Sequence, residues 1–473
     1  MRATSRRLAR LARASFAAAA FLAPGLARAQ ADDVVATPLG QQVDSVLRAL
    51  ERDGFAGVVR VERGGTLILA RGYGLADRAR RTPFRRTTVV PIGSNTKDFT
   101  IVALMRVERQ GRLSLRDSLA KYFPDAPADK RAITLQQLVD HVGGFPIGIG
   151  PDAEALGRDA FVSRAMRTQL RAAPGTREIY SNTGYALLAA VLEQVSGKAY
   201  ERLITDEILA PLGLRETGYL LPRFDARRLS RGYEGGADRG HALEKPHAAD
   251  GNHWNLRGNG GFQSTVDDMH AFYRALFTTE RLLPRAGRGD RFDPDGPTAL
   301  AGSDLVHFFL YERFPRMGVE LIVATNDPAH PAPAISRALA PLLGLPTQRE
   351  LSGGDAPSGP PPGARPPEPA VDSLVRAFAA VVNASDSAAT VRFVAASFAP
   401  DSLVSPEQRI ARMLGMRARL GQLEIGSIWM AEPDVAHATV RTSQGPGTLI
   451  FNLVRGAPGT HPRIGGLGLM IGG

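Results

Sequence analysis

No stretch of this chain constrains its fold more than residues 352–369, Ser-Gly-Gly-Asp-Ala-Pro-Ser-Gly-Pro-Pro-Pro-Gly-Ala-Arg-Pro-Pro-Glu-Pro. Proline brings no N–H to a helix or ladder, and glycine loses the most entropy on being fixed. Such a run reads as a linker, assigned to 350–370. It divides the 473 residues into a large body, 30–349, and a small one, 371–473. Each must then bury its own core, and the larger is long enough to do so without staples.

The N-terminus reads as an export signal. Arg2, Arg6, Arg7, Arg10 and Arg13 form a basic region, and Ala14 to Leu26 is apolar but broken by Pro24-Gly25. Ala27-Arg28-Ala29 is a small-residue site, which predicts cleavage after Ala29 and a periplasmic or secreted product. The apolar run is too short to remain as a membrane span. Thr4-Ser5-Arg6-Arg7 leaves the general and the twin-arginine export routes both open. Removing the six arginines of 1–29 from the formal charge of +11 leaves about +5. With no interleaved aromatic and basic motif, that charge does not point to nucleic acid. The absence of cysteine excludes thiolate nucleophiles and zinc–thiolate sites. No metal and no cofactor is called for.

Past the signal, Gln41 to Arg52 has a helical apolar stripe. Ala56 to Arg63 and Thr66 to Gly72 alternate as strands about Gly64-Gly65, a hairpin pattern. A helical pattern begins at Ser94, with Phe99, Val102, Leu104 and Met105 recurring near a 3.6 period. A hairpin feeding a helix predicts an α+β class, with an antiparallel sheet flanked by helices.

Ser94 and Lys97 stand one turn apart on one helix face. A serine hydroxyl attacks a carbonyl only when a base takes its proton, and a lysine serves once burial lowers its pKa. A helix N-terminus also offers N–H groups to an oxyanion. The same spacing recurs at Ser118 and Lys121, within an amphipathic segment Leu113 to Tyr122. Alone, such a pair reads as a cap and a solvated lysine, the assignment made for this second copy. Ile133 to Val142 reads as a helix, with His141 resting on its last carbonyls. Tyr180-Ser-Asn182 precedes an apolar helix, Ala186 to Val195. Tyr180 is either a packed ring or, beside Ser94 and Lys97, a general base or acid.

The run from Gly258 to Asp268 is a glycine-rich turn allowing close backbone approach, with a Ser264-x-x-Asp start to the next helix, and lacks the phosphate-loop ending. Residues 285–297 read as loop. Leu305 to Tyr311 and Val319 to Thr325 read as strands, and Ala332 to Leu343 as a closing helix. In the small body, Val371 to Val382 and Ala388 to Phe398 are helical. Ser405-Pro-Glu-Gln408 is a capping box opening a helix to Leu420. Strands are expected near 422–431, 435–442, 447–455 and 463–470. His437 and His461 are isolated.

Taken together, Ile92-Gly93-Ser94-Asn-Thr-Lys97, Gln136-Leu-Val-Asp-His141-Val-Gly-Gly-Phe145, Pro174-Gly-Thr-Arg-Glu-Ile-Tyr180-Ser-Asn182 and Pro211-Leu-Gly-Leu-Arg-Glu-Thr217 resemble the serine β-lactamase-like superfamily. The resemblance is to its class C β-lactamase, esterase and D-stereospecific peptidase branch, and runs from about Gly40 to Leu345. It implies a β-lactamase/transpeptidase-like fold with an all-helical region, and an acyl-enzyme mechanism on Ser94. Lys97 and Tyr180 would share the base role. Asn182 would orient substrate or Lys97, and the Ser94 and Ser303 N–H groups would form the oxyanion hole. The family's third motif, Lys/His-x-Gly, falls at Leu300-Ala301-Gly302, which keeps Gly302 and loses the basic residue. Thr278 to Thr298 is short for the family, implying an altered or missing strand at the pocket edge. The resemblance thus favours hydrolysis of an ester, amide or peptide bond in a small-molecule or peptide substrate over true β-lactamase activity. The alternative is a penicillin- or muropeptide-binding sensor on the same scaffold. The small body more loosely resembles the nuclear-transport-factor-2-like cone fold.

Overall fold

The computed structural model describes residues 33–219, 224–244, 253–288, 290–346, 360, 364–399, 406–432, 434–443, 445–455 and 460–471. The export signal 1–29, most of the linker 350–370 and the cap residue Ser405 lie outside the described residues.

The large body is built on a six-stranded sheet. Its strands are β1 (Val34–Val35), β2 (Gly57–Arg63), β3 (Thr66–Tyr73), β4 (Thr298–Ser303), β5 (Phe308–Phe314) and β6 (Val319–Thr325), in the order β1-β3-β2-β6-β5-β4. Every neighbouring pair is antiparallel. The N-terminal hairpin turns at Gly64 and Gly65, with φ of 58° and 74°, a conformation that glycine adopts without strain. β2 and β6 meet at the centre, Val59 opposite Val323.

Strand alternation gives the sheet two faces. Val59, Val61, Leu321 and Val323 pack on one face with Val43 and Leu47 of α1 (Thr37–Arg52) and with Ile335 and Leu339. Val58, Ile322 and Ala324 face the other way, into the larger core. That core holds α2 (Thr96–Arg109), α3 (Leu135–Val139), α4 (Asn182–Ser196) and α5 (Val266–Phe277), and α6 (Ala332–Leu343) closes the first face. α2 is buried on every side from Thr96 to Leu104. Phe99 stacks on Phe272 at 4.0 Å between ring centroids and meets Phe262 edge-on at 5.3 Å. A helix apolar all round belongs in a core, so the charges buried within it, Lys97 and Asp98, need a separate reason.

Among the described residues, the small body is three helices, α7 (Pro369–Ala384), α8 (Ser387–Ser397) and α9 (Pro406–Leu420), packed on a four-stranded meander. The strands are β7 (Glu424–Glu432), β8 (Val435–Thr442), β9 (Gly445–Val454) and β10 (Arg463–Ile471). Val375, Phe378, Val440 and Phe451 are among its core residues.

Five expectations are corrected. The edge strand is present as β4, with Leu300 and Gly302 inward and Ala299 and Ala301 exposed. The next strand starts at Phe308, because Leu305 sits in a turn at φ 78°. The helix expected over 133–142 covers only Leu135–Val139, opened by a Thr134/Gln137 capping box, and His141 follows at φ 58°. In the segment 113–122 only Leu119–Tyr122 is helical, and the cap of α5 is Thr265, accepting from Asp268 N. Among the described residues, no helix is long and apolar enough to cross a membrane.

Candidate active site

Ser94 is presented by a turn that only glycine permits. Gly93 has φ 51°, and a Cβ there would stand 2.3 Å from Ser303 N. A Cβ at Gly302 would stand 2.1 Å from Ile92 O and 2.7 Å from Ser94 N. β4 therefore lies against the serine backbone at closer range than side chains allow. Asn95 holds it there, donating to Leu300 O at 3.2 Å and to Tyr273 Oη at 2.6 Å. A two-strand pairing, Val90–Pro91 with Gln263–Ser264, fixes the approach to the turn.

Lys97 is 2% exposed, and its Nζ contacts Ser94 Oγ at 3.2 Å, Asn182 Oδ1 at 2.8 Å and Asn259 O at 2.8 Å. Two of these partners are carbonyl oxygens, which only accept. A neutral amine gives them its two N–H bonds and turns its lone pair to Ser94 Oγ. Burial, the largest influence, pulls the Lys97 pKa from 10.5 to about 7, so the neutral form is accessible near neutrality.

Tyr180 Oη lies 2.6 Å from Ser94 Oγ. The ring is 41% exposed at the mouth of the site. Desolvation nevertheless holds the phenol above its ordinary pKa, the bond to Ser94 pulling the other way. Lys97 Nζ lies 4.8 Å from the ring centroid. His141 supports this segment instead of resting on its own helix end. Its Nδ1 accepts from Ser181 N at 3.0 Å, its carbonyl accepts from Ile179 N at 2.7 Å, and its ring lies 4.5 Å from that of Tyr180. Burial first, then the nearby Lys97 and Arg291, lowers its pKa to about 4, so the imidazole is neutral. Ser181 caps α4 by accepting from Gly184 N, which sets Asn182 at the first helical position, facing Lys97.

Ser94, Lys97, His141, Tyr180, Arg291, Ala299, Leu300 and Ala301 line a cleft of about 170 Å³. Of the residues expected at the site, Ser94, Lys97, Tyr180 and Asn182 come together by direct contact. Gly302 and Ser303 lie against the backbone of Gly93 and Ser94 and are not among the residues lining the cleft. The Ser303 hydroxyl is occupied by Leu305 N at 2.8 Å. The second copy of the spacing lies elsewhere, its Lys121 side chain 55% exposed and paired with Asp117. Sequence reasoning missed Asn259, whose contribution is a backbone carbonyl, and Arg291, which sits in a loop without periodicity. His141 was visible but was given the wrong partner.

Among the described residues, one group has metal-ligand spacing: Glu62, His270 and Glu320, with ligand atoms within 4.8 Å of one another. Arg60 Nη2 donates to Glu62 at 2.8 Å, and Arg313 Nε lies 3.7 Å from Glu320. Desolvation would raise the Glu62 carboxyl, but its bonds to His270 and Arg60 hold it at about 2. The group is thus an ion network with its positive charge already supplied.

The family described as Beta-lactamase matches residues 41–306. Protein flp of Staphylococcus aureus (strain MW2) is 29% identical over 204 residues, 41% of this chain and 41% of that protein. The chain thus spans about two fifths of that relative's length. The fold is similar to that of FmtA from Staphylococcus aureus, with TM-score 0.56 and 22% identity over 66% of this chain and 91% of that one. It is also similar to D-amino acid amidase from Ochrobactrum anthropi SV3, with TM-score 0.53 and 22% identity over 65% of this chain and 98% of that one. With more than half of its length matched by that family, and a serine–lysine–tyrosine cluster on the matching fold, this chain belongs to the beta-lactamase family.

Proposed function

We propose that the protein is an exported serine hydrolase that cleaves ester, amide or peptide bonds through an acyl-enzyme on Ser94. The observation that carries this reading is the contact of Ser94 Oγ with both Tyr180 Oη and the buried Lys97 Nζ. Neutral Lys97 takes the Ser94 proton as Oγ bonds to the carbonyl carbon. Tyr180, held protonated by its raised pKa, relays a proton to the departing oxygen or nitrogen and is reprotonated from Lys97. Water then attacks the acyl-enzyme, gives its proton to the same pair, and releases the acid and free Ser94. Asn182 and Asn259 O hold the amine in place. The Ser94 and Ser303 N–H groups are assigned to the oxyanion. The arginine-rich then apolar N-terminus supports the assignment to the periplasm or beyond.

Leu300, buried where the resembled family has a basic residue, favours a second reading: a penicillin- or muropeptide-binding sensor that acylates without turnover. One experiment separates the two. The purified protein is treated with a fluorophosphonate or a labelled penicillin and digested, and the Ser94 peptide is weighed. Hydrolysis of short nitrophenyl esters is followed alongside, with Ser94→Ala as control. An adduct on Ser94 with turnover supports the hydrolase, and an adduct that accumulates without turnover supports the sensor. No adduct, with wild type and Ser94→Ala alike on esters, refutes both.

A further inference from the structure

β4 ends at Ser303, and the turn that follows, 304–307, packs on a neighbouring loop. Gly232 of that loop lies directly on the turn: a Cβ there would stand 2.6 Å from Val306 Cγ1 and 3.0 Å from His307 Cε1. The loop pairs Tyr233–Glu234 with Ala237–Asp238 and returns through Gly240 and His241. Turn and loop enclose a cavity of about 30 Å³ whose walls include Arg239, His241, Asp304 and His307. That is about the volume of one water molecule, enough for an ion.

His241 and His307 are 7% and 3% exposed, and a carboxylate stands behind each ring. His307 Nδ1 lies 3.1 and 3.2 Å from the two oxygens of Asp304, and His241 Nε2 lies 3.3 Å from Glu244 Oε1. A carboxylate only accepts, so the ring nitrogen facing it carries the proton. In the neutral rings the opposite nitrogens, His307 Nε2 and His241 Nδ1, are then bare lone pairs. Both atoms are buried, and neither has a hydrogen-bond partner. Burial, the largest influence on His241, lowers its pKa and opposes a second proton on the ring. Arg239 does not meet the need either, for its Nη2 goes to Glu234 at 3.1 Å.

We propose that His241 and His307 form a binding site for a divalent transition-metal ion of the zinc class, His241 through Nδ1 and His307 through Nε2. Imidazole nitrogen suits such ions, and a ligating histidine commonly gives its other N–H to a carboxylate. Asp304 is itself held in place, accepting from His307 N at 2.7 Å and from Val306 N at 3.1 Å. Arg231 holds Glu244, its Nη2 donating to Oε2 at 2.9 Å. The network at Glu62, His270 and Glu320 differs, because arginines there already supply the positive charge. Two protein ligands leave the remaining coordination positions to solvent. An ion here ties the turn at the end of β4 to the loop 232–242, and the site stands whether or not Ser94 acylates.

The test uses the untagged, chelator-treated protein in equilibrium dialysis against Co²⁺, with the visible absorption of the bound ion recorded. Wild type is expected to take up one equivalent more than His241→Gln or His307→Gln, and Zn²⁺ should displace it. Asp304→Asn leaves both ligands and an acceptor for the turn, and should weaken this binding by about 10–100-fold. The fold of each variant is checked by circular dichroism, and Asp304→Asn keeps the test decisive should a glutamine variant fail to fold. No uptake by wild type at millimolar Co²⁺, equal uptake by wild type and either folded glutamine variant, or undiminished affinity in Asp304→Asn would overturn the proposal.

Discussion

Replacing Asn182 by aspartate adds one charge to the site and little else. Asn182 Oδ1 lies 2.8 Å from Lys97 Nζ, so the new carboxylate faces the amine directly. An opposite charge at this range raises a lysine pKa by about 1–3 units. With the wild-type group at about 7, half of it is neutral at pH 7. A shift of about 2 units leaves about 1% neutral there, a loss of about 50-fold, and the bounds of the range give about 5-fold and about 500-fold. The rate should recover on the alkaline side, its midpoint moving from about 7 toward about 9. The helix should not suffer, because an acidic residue at the first position of α4 suits the positive end of its dipole. The assay is the second-order rate of Ser94 labelling by a fluorophosphonate between pH 5 and 10, with melting curves as a control on folding. A uniform loss at every pH, or a wild-type profile that is flat or centred near 10, would refute the assignment of Lys97 as the base.

Lys97→Met should stabilise the resting protein. Between about 7 and 10.5 the native state binds fewer protons than the unfolded chain, so wild-type stability should rise with pH across that window while the variant stays flat. The full shift corresponds to about 5 kcal/mol as an upper bound, and two orphaned carbonyl acceptors reduce the net gain to about 1–3 kcal/mol near pH 7, read from denaturant melts. Gly302→Ala should cost about 1–3 kcal/mol through overpacking and abolish labelling, since its methyl would displace Ile92 O and Ser94 N. Phe99→Ala should cost about 3–5 kcal/mol in chemical denaturation, removing a ring that stacks on Phe272 and meets Phe262 edge-on. Ser118→Ala should leave labelling and ester hydrolysis unchanged, and a loss there would mean the wrong serine had been chosen.

The parts of this molecule legible in its sequence are those whose signal is local. The hairpin about Gly64-Gly65, the helix from Ser94 and the helices and meander of the small body all carry their own periodicity and turn residues, and each appears close to its expected bounds. The edge strand β4 was not legible, because Ala299, Ala301 and Gly302 contribute too little side chain to mark an alternation. Leu305, an apolar residue held at φ 78°, imitates a strand where there is a turn. At the site, side chains that react are visible as residue types, whereas a carbonyl such as Asn259 O has no letter of its own. Arg291 owes its place to Asp98, 193 positions earlier, a relation no local window contains.

The central pairing of β2 with β6 has a further consequence, for timing. Val59 waits for Val323, so the sheet cannot close until nearly all of the large body has left the ribosome. The segments carrying Ser94, Lys97 and Tyr180 lie between these two strands in the chain, and the core that desolvates Lys97 is complete only when the last of them docks. Until then the amine is wet, fully protonated and useless as a base. On the proposed mechanism the protein is born inert, and labelling of Ser94 would serve as a clock for the final step of its folding.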